Sequence, residues 1–448
     1  VWTTQDQVVA AAVIVNPAEG VDPVGWREKL DGLMARMAKR FGRVEPRRRA
    51  RSFVEGLLSD LPRKNCWTIA EHAGDATPDG MQHLLSRAVW DADKVRDDVR
   101  DVAVEHLGDT DAMLVVDETG DVKKGACSVG VQRQYTGTAG RIENAQVGVF
   151  LTYTTTSGHT LIDRELYLPR SWTGDTARCA ATGIPEDTKF ATKPALASRM
   201  ILRALDGGVP ARWVAGDEVY GGNPTLRGDL EQRRVGYVLA VACDHRVSTA
   251  AGTCRADELV ARLPKRAWQR LSAGKGAKGH RYYDWAWITI TDTGDDAPEG
   301  HRWLLVRRNR RTGELAFYRC YAPGRVPLTV LVRVAGRRWT VEESFQTSKG
   351  QTGLDEHQVR TWTSWYRWTT LVLLAHLFLA VTTVAARAGP APAGLIPLTL
   401  NEIRHLYNAL VLTPATDIRH VLTCSHWRRR HQYRAQQSHY QRQSTQEQ

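Results

Sequence analysis

Apolar residues recur at helical spacing early in the chain: Trp26, Leu30, Leu33, Met34, Met37 and Phe41 fall on one face. This predicts a helix over 26–41, and the same periodicity predicts others over 49–61 and 91–106. Between these lie a short helix over 67–73, a turn at Gly74-Asp75-Ala76, and Thr77-Pro78 as N-cap and first residue of the next helix. Residues 1–110 are therefore expected to form a helical N-terminal domain. Its short helical pair, with Gln82, His83 and Arg87 on the second member, suits either the groove of a duplex or plain helix packing.

At Ala112 the pattern changes. Met113-Leu114-Val115-Val116 is a short apolar run of the buried-strand type, ending in Asp117-Glu118-Thr119-Gly120. Strands over 145–154 and 161–168 follow, joined at Ser157-Gly158. A helix over 194–205, the strand Trp213-Val214-Ala215-Gly216 leading into Asp217-Glu218, a helix over 226–233 and a strand over 236–242 complete an α/β pattern with a mixed sheet across 111–243. Residues 244–330 read as a mainly β insertion, with strands over 282–291, 301–307 and 315–321. Arg307 to Arg311 stands at a hairpin tip, with Trp268, Trp285, Trp287 and Trp303 nearby. Each Trp serves equally well as core or as a stacking surface.

The core is expected to resume over 331–388. If 337–349 is helical, Arg338, Glu342 and Lys349 lie within roughly 40° of one another on one face. The apolar run 371–386 falls short of the ~20 residues of a membrane span, carries His376 and is flanked by Arg367 and Arg387, so a buried helix is expected and no membrane. Residues 389–448 hold a Gly/Pro linker over 389–394, a helix over 398–412 and a basic tail from His426, expected to stay disordered until it meets a polyanion.

Charge narrows the partner. Among 448 residues the formal net charge is +12, which suits a polyanion such as nucleic acid. Lys123, Lys124, Arg308, Arg310, Arg311, Arg428, Arg429 and Arg430 are candidate phosphate contacts, each with a solvated turn or tail as the bland alternative. Seven dispersed cysteines without a C-x-x-C pair argue against a disulfide framework or zinc site and for a reducing cytosol. The start carries no leader pattern. Gly274-Lys275-Gly276-Ala277-Lys278-Gly279 matches a dinucleotide fingerprint only in letters, since no βαβ unit surrounds it.

Singly, Asp117 and Asp217 read as caps or turn residues and Glu342 as a surface ion-pair partner. Together they change the picture. Three converging acids repel unless a cation neutralises them, and hard oxygen donors suit Mg²⁺ or Mn²⁺. A pair of such ions serves phosphodiester cleavage.

The order and surroundings of these acids resemble the DDE transposases of bacterial insertion sequences. The resemblance rests on Val115-Val116-Asp117-Glu118-Thr119-Gly120, on Ala215-Gly216-Asp217-Glu218-Val219-Tyr220-Gly221, and on Arg338, Glu342 and Lys349, which match the spacing of a Tyr-Arg-Glu-Lys signature whose Tyr position holds Ala335. It implies a ribonuclease H-like core with a β insertion. It also implies Asp117, Asp217 and Glu342 as catalytic ligands of two Mg²⁺ ions, with Mn²⁺ an alternative, and Arg338 and Lys349 on DNA phosphates. Cleavage at transposon ends and strand transfer into double-stranded target DNA would follow, in a synaptic homodimer of the bacterial, nucleoid-containing cytoplasm. The rival expectation is a transposase-derived DNA-binding protein that no longer cuts.

Overall fold

A computed structural model describes residues 20–250, 252–276, 279–291, 298–389, 395–412 and 418–446. In chain order these form helices α1 (Pro23–Met37), α2 (Val44–Leu58), α3 (Cys66–His72), α4 (Asp79–Ser86) and α5 (Ala92–Leu107), then strands β1 (Met113–Val122), β2 (Gln132–Thr136), β3 (Arg141–Thr154) and β4 (His159–Leu166). Next come α6 (Lys193–Asp206), β5 (Trp213–Gly216), α7 (Pro224–Gln232), β6 (Gly236–Val241), β7 (Arg246–Thr249), β8 (Gly252–Arg255), β9 (Gln269–Gly276), β10 (Gly279–Thr289), β11 (His301–Arg308) and β12 (Leu315–Ala322). The chain ends with α8 (Leu328–Arg337), α9 (Thr340–Thr352), α10 (Trp362–Ala386), α11 (Leu400–Leu410) and α12 (Ile418–Gln446). Two compact units result: residues 96–346, and residues 1–95 with 347–448.

The 96–346 unit is built on one large mixed sheet in the order β2-β3-β1-β5-β6-β12-β11-β10-β9, with β4 also on β3. Only β1/β5 and β5/β6 run parallel; the named pairs around them are antiparallel. β5 is four residues, all buried, which is why its sequence shows no alternation. β1 differs from expectation. It runs on through Asp117 to Val122, because β3 pairs with it over its whole length, from Met113↔Thr154 to Val122↔Ala145. Asp117 thus lies mid-strand, just past the part of β1 that β5 accompanies.

The 244–330 segment extends this same sheet, since β12 pairs with β6. A small core under it joins Val241, Val247, Val260, Leu304, Val306 and Phe317. Trp285 and Trp303 are buried and Trp287 stacks on Trp303 at 5.4 Å, so the core role wins for these rings. A buried ionic cluster ties helices to β4: Arg96 Nη1 and Arg203 Nη2 each lie 2.7 Å from Asp163, and Arg203 also reaches Glu165 at 2.9 Å. Asp163 is thereby structural.

In the other unit α10 is largely buried and packs on α1, α2, α4 and α11. Among the described residues it is the helix long and apolar enough to cross a membrane. Arg367, within α10, is buried and donates to the carbonyls of Leu84, Ala88 and Trp90, which terminate α4 and the turn after it. The helix pair expected around Gly74 is present as α3 and α4. The basic tail departs from expectation, forming the long helix α12 rather than a disordered segment. Trp427 packs edge-on against Trp67 at 4.7 Å, His431 covers the same ring, and Arg428 pairs with Glu71. The linker residues 390–394 and the turn residues 277–278 lie outside the described residues.

Candidate active site

Strand register brings the two aspartates to one level. Val115 pairs with Ala215 across β1 and β5, and Asp117 and Asp217 each follow two residues later. Equal parity puts both side chains toward the same face of the sheet. Asp217 leaves its strand as N-cap of the single helical turn Glu218–Gly221, accepting from Val219 N–H at 2.9 Å. That turn packs so closely on β6 that a Cβ on Gly221 would stand 1.9 Å from the Ala240 carbonyl oxygen.

Helix α9 supplies the third acid. Thr340 Oγ1 lies 2.9 Å from Thr154 Oγ1, and Phe345 meets Phe150 edge-to-face at 5.6 Å, an aromatic contact worth about 0.5–1.5 kcal/mol beyond burial. These contacts pin the start of α9 to β3. The continuous helix expected over 337–349 is instead two helices: α8 ends at Arg337, Arg338 caps it and α9 begins at Thr340. Arg338 keeps helical backbone angles through the junction (φ −50°, ψ −35°), so its four-residue relation to Glu342 survives. Its Nη1 is 3.4 Å from Asp117 Oδ2 and its Nη2 is 3.6 Å from Glu342 Oε1. One guanidinium thus links the strand acid to the helix acid. Lys349 lies seven residues further along α9, in the part belonging to the other unit.

Two of the acidic neighbours have partners of their own. Glu118 receives Lys193 Nζ at 2.6 Å and the buried Tyr220 hydroxyl at 2.5 Å. Glu343 turns to His159 at 3.4 Å, and this hydrogen bond holds its carboxyl below the usual range. Glu218 is exposed.

Electrostatics at the pair are unfavourable. Burial, then the neighbouring Asp217, push the Asp117 carboxyl up to about 8, with Arg338 opposing. Asp217 is raised as well, by burial first and then by Glu118. Two desolvated carboxylates, each raised by burial and by a neighbouring carboxylate, form a donor set that a divalent cation satisfies. Among the described residues no group of three or more acid, His or Cys side chains stands close enough together to hold a metal ion. Asp117 and Asp217 are the oxygen donors at one level, and Glu342 is linked to Asp117 through Arg338.

Beside the pair opens a cleft of about 490 Å³, lined by Asp217, Arg338, Tyr283, Trp285, Arg307 and Tyr318 among others. Sequence reasoning passed over Arg307 in favour of its neighbours. Arg308 and Arg310 both pair with Asp284, at 3.1 and 3.4 Å, and Arg308 also lies 4.1 Å over Trp268. Arg311 and Lys124 are exposed, and Lys123 pairs with Asp121. Of the tail arginines, Arg429 and Arg430 are exposed on α12. Only the pairing register could have revealed Arg307: it stands opposite Trp285, on the face that meets the cleft.

Comparisons with known proteins give this arrangement a context. The family described as DDE superfamily endonuclease matches residues 36–281, more than half of the chain, a span containing Asp117 and Asp217 and ending before Glu342. A protein of Microchaete diplosiphon described as a probable transposase for insertion sequence element IS701 is 30% identical over 194 residues, which are 43% of this chain and 48% of that protein. The chain so matched spans about half of that relative's length. A cryo-EM structure of a piggyBac transposase synaptic complex with hairpin DNA aligns over 83% of this chain and 73% of its own, at 11% identity and a TM-score of 0.38.

Proposed function

The chain belongs to the DDE superfamily endonuclease family, and from that premise we propose that it is an insertion-sequence transposase. It would cut double-stranded DNA at the element's ends and join them to target DNA, with Asp117, Asp217 and Glu342 as its catalytic acids. The observation that carries this reading is the level pair Asp117/Asp217, each raised by burial and by neighbouring carboxylate charge, with Arg338 spanning from Asp117 to Glu342. An isolated structural acid has no reason to sit beside another in a desolvated place. The relative's description as a probable insertion-sequence transposase and the formal charge of +12 supply the substrate class.

Asp117 and Asp217 would hold divalent cation, with Glu342 joining them, Mg²⁺ the expected ion and Mn²⁺ a substitute. When bound, such ions neutralise the acids and stabilise the attacking and leaving oxygens of an in-line displacement. The protein's own part is positional. The turn Glu218–Gly221 fixes Asp217, the β3 pairing fixes Asp117, and Thr340 and Phe345 anchor the helix that carries Glu342. Arg338, shared between two acids, is placed to transfer its guanidinium to a DNA phosphate once those acids are otherwise occupied. Lys193 and Tyr220 keep Glu118 from competing. The mixed sheet supports a ribonuclease H-like core. A homodimer bridging two ends in the bacterial, nucleoid-containing cytoplasm is the working assembly.

The test is nicking of duplex DNA carrying the element's ends, with Mg²⁺. Asp117→Asn, Asp217→Asn and Glu342→Gln should each lower the rate by a factor of 10³ or more, as expected of groups that act as a unit. Undiminished activity in all three, with wild-type thermal stability, would refute the assignment.

A further inference from the structure

We propose that the cleft beside Asp217 is a seat for the DNA backbone next to the scissile bond, and that Arg307 binds a phosphate there. The inference rests on the transposase reading above and adds to it a contact which lies beyond the residues matched by the family.

Arg307 sits on β11 opposite Trp285 of β10 and Ala316 of β12, so its side chain rises from the sheet face that floors the cleft. Its guanidinium lies 4.8 Å over the Tyr283 ring. Among the described residues it forms no ion pair, and its buried Nε has no hydrogen-bond partner. This is unusual company for an arginine here. Arg308 and Arg310 share Asp284, Arg302 holds Glu231 at 2.6 Å, and Arg281 donates to the carbonyls of Gly336 and Ala273. A cation left without an anion, half out of water and facing a cavity, is a binding group awaiting its counter-charge.

The surroundings select the kind of anion. Arg307 and Arg338 both line the cleft, and both oppose the burial that raises the Tyr318 hydroxyl, so the cleft carries positive charge near that ring. Its floor is aromatic: Trp285 lies 6.2 Å from Tyr318 and 6.1 Å from Tyr283, and the buried indole N–H of Trp285 has no acceptor among the described residues. Trp339, half exposed, stands at the margin. Asp217 closes the remaining side, so a carboxylate ligand or a lone inorganic anion gains less there than a chain that continues past the acids. A DNA strand does so, since it presents one phosphate to the acid pair and the adjoining one to Arg307. The wall residue Ala335 is small, and Gly336 beside it packs directly on the β9 backbone, where a Cβ would stand 2.0 Å from the Ala273 carbonyl oxygen.

The experiment uses a fluorescent 40-bp duplex taken from the DNA bordering the gene, with the full-length chain. Affinity is followed between about 50 and 200 mM KCl. Arg307→Gln should make the slope of log K against log[KCl] shallower by about 0.9, the signature of one lost phosphate contact, while Arg307→Lys should keep the wild-type slope. Thermal scans of both variants should stay close to the wild type, because the Tyr283 ring is the contact that Arg307→Gln gives up and no ion pair is lost. If the glutamine variant fails to fold, neutral methylphosphonates placed singly through the wild-type duplex make the same test, and one near the cut should weaken binding. An unchanged slope in a folded Arg307→Gln protein, or a methylphosphonate scan flat around the cut, would overturn the proposal. Competition by micromolar ATP with the DNA slope unchanged would also overturn it, by assigning the cleft to a free nucleotide. A wild-type chain that binds no duplex at all would remove the transposase reading itself, and this proposal with it.

Discussion

Replacing Asp117 by Asn should make the metal-free protein more stable at alkaline pH. The folded protein holds the Asp117 carboxyl up near 8 against an ordinary 3.8, through burial and then Asp217. Between those values the folded chain binds a proton that the unfolded chain has released, so stability falls as pH rises through the window. Below about 3.8 both states are protonated and the penalty vanishes; above about 8 it is fully present. Some four decades of proton affinity at about 1.4 kcal/mol each give a ceiling of roughly 6 kcal/mol. Asparagine keeps the acceptor for the Glu118 N–H but loses the pairing with Arg338, which lowers the expected gain to about 1–3 kcal/mol. For a unit of this size that is a rise in Tm of roughly 3–10 °C at pH 8.5 in EDTA. Thermal scans by tryptophan fluorescence at pH 4, 6 and 8.5 should show the gap between variant and wild type opening as pH rises. Added Mg²⁺ should then raise the wild type and close the gap, because binding to the folded state stabilises it and the variant lacks a ligand. A gap that is equal at all three pH values, or a wild type indifferent to Mg²⁺, would refute the electrostatic account of the pair.

Other perturbations separate neighbouring roles. Glu343→Gln should leave nicking within about threefold of wild type, since Glu343 faces His159, whereas Glu342→Gln should abolish it; equal effects in the rate assay would contradict the assignment. Gly221→Ala forces a methyl group onto the Ala240 carbonyl oxygen and should destabilise by about 1–3 kcal/mol while displacing Asp217, detectable as a lowered denaturation midpoint together with lost nicking. Asp163→Ala leaves buried Arg96 facing a missing partner, with Arg203 keeping Glu165, and should lose about 3–5 kcal/mol in a denaturant titration with DNA affinity per folded molecule unchanged.

Much of the architecture was legible because local pattern and tertiary role agree. The apolar faces of α1 and α2, the buried strand β5 and the hairpin β3–β4 follow from periodicity alone, and so did the long apolar α10 as a buried helix. The acids Asp117, Asp217 and Glu342 could be singled out because the first two follow short apolar runs and the third lies in register with Arg338. The reach of β1 was not legible, since Glu118-Thr119-Gly120-Asp121 has no strand pattern and stays extended only because β3 pairs with it. Nor was the ordering of the tail, whose polar sequence forms α12 through rings of Trp427 and His431 laid on Trp67.

By itself, then, the sequence determined the element types, the basic character and which acids stand at chemically suggestive points, all of which depend on residues near one another in the chain. Tertiary structure decided the rest. Parallel register set Asp117 level with Asp217, helical backbone kept through the α8/α9 junction let the Arg338 guanidinium serve two acids, and Lys193 and Tyr220 took Glu118 while His159 took Glu343. It also decided how neighbouring arginines are used: Asp284 takes Arg308 and Arg310, while Arg307, one residue before Arg308 and on the opposite face of the strand, lines the cleft. Such outcomes depend on which strands become neighbours, a property of long-range packing that no local pattern encodes.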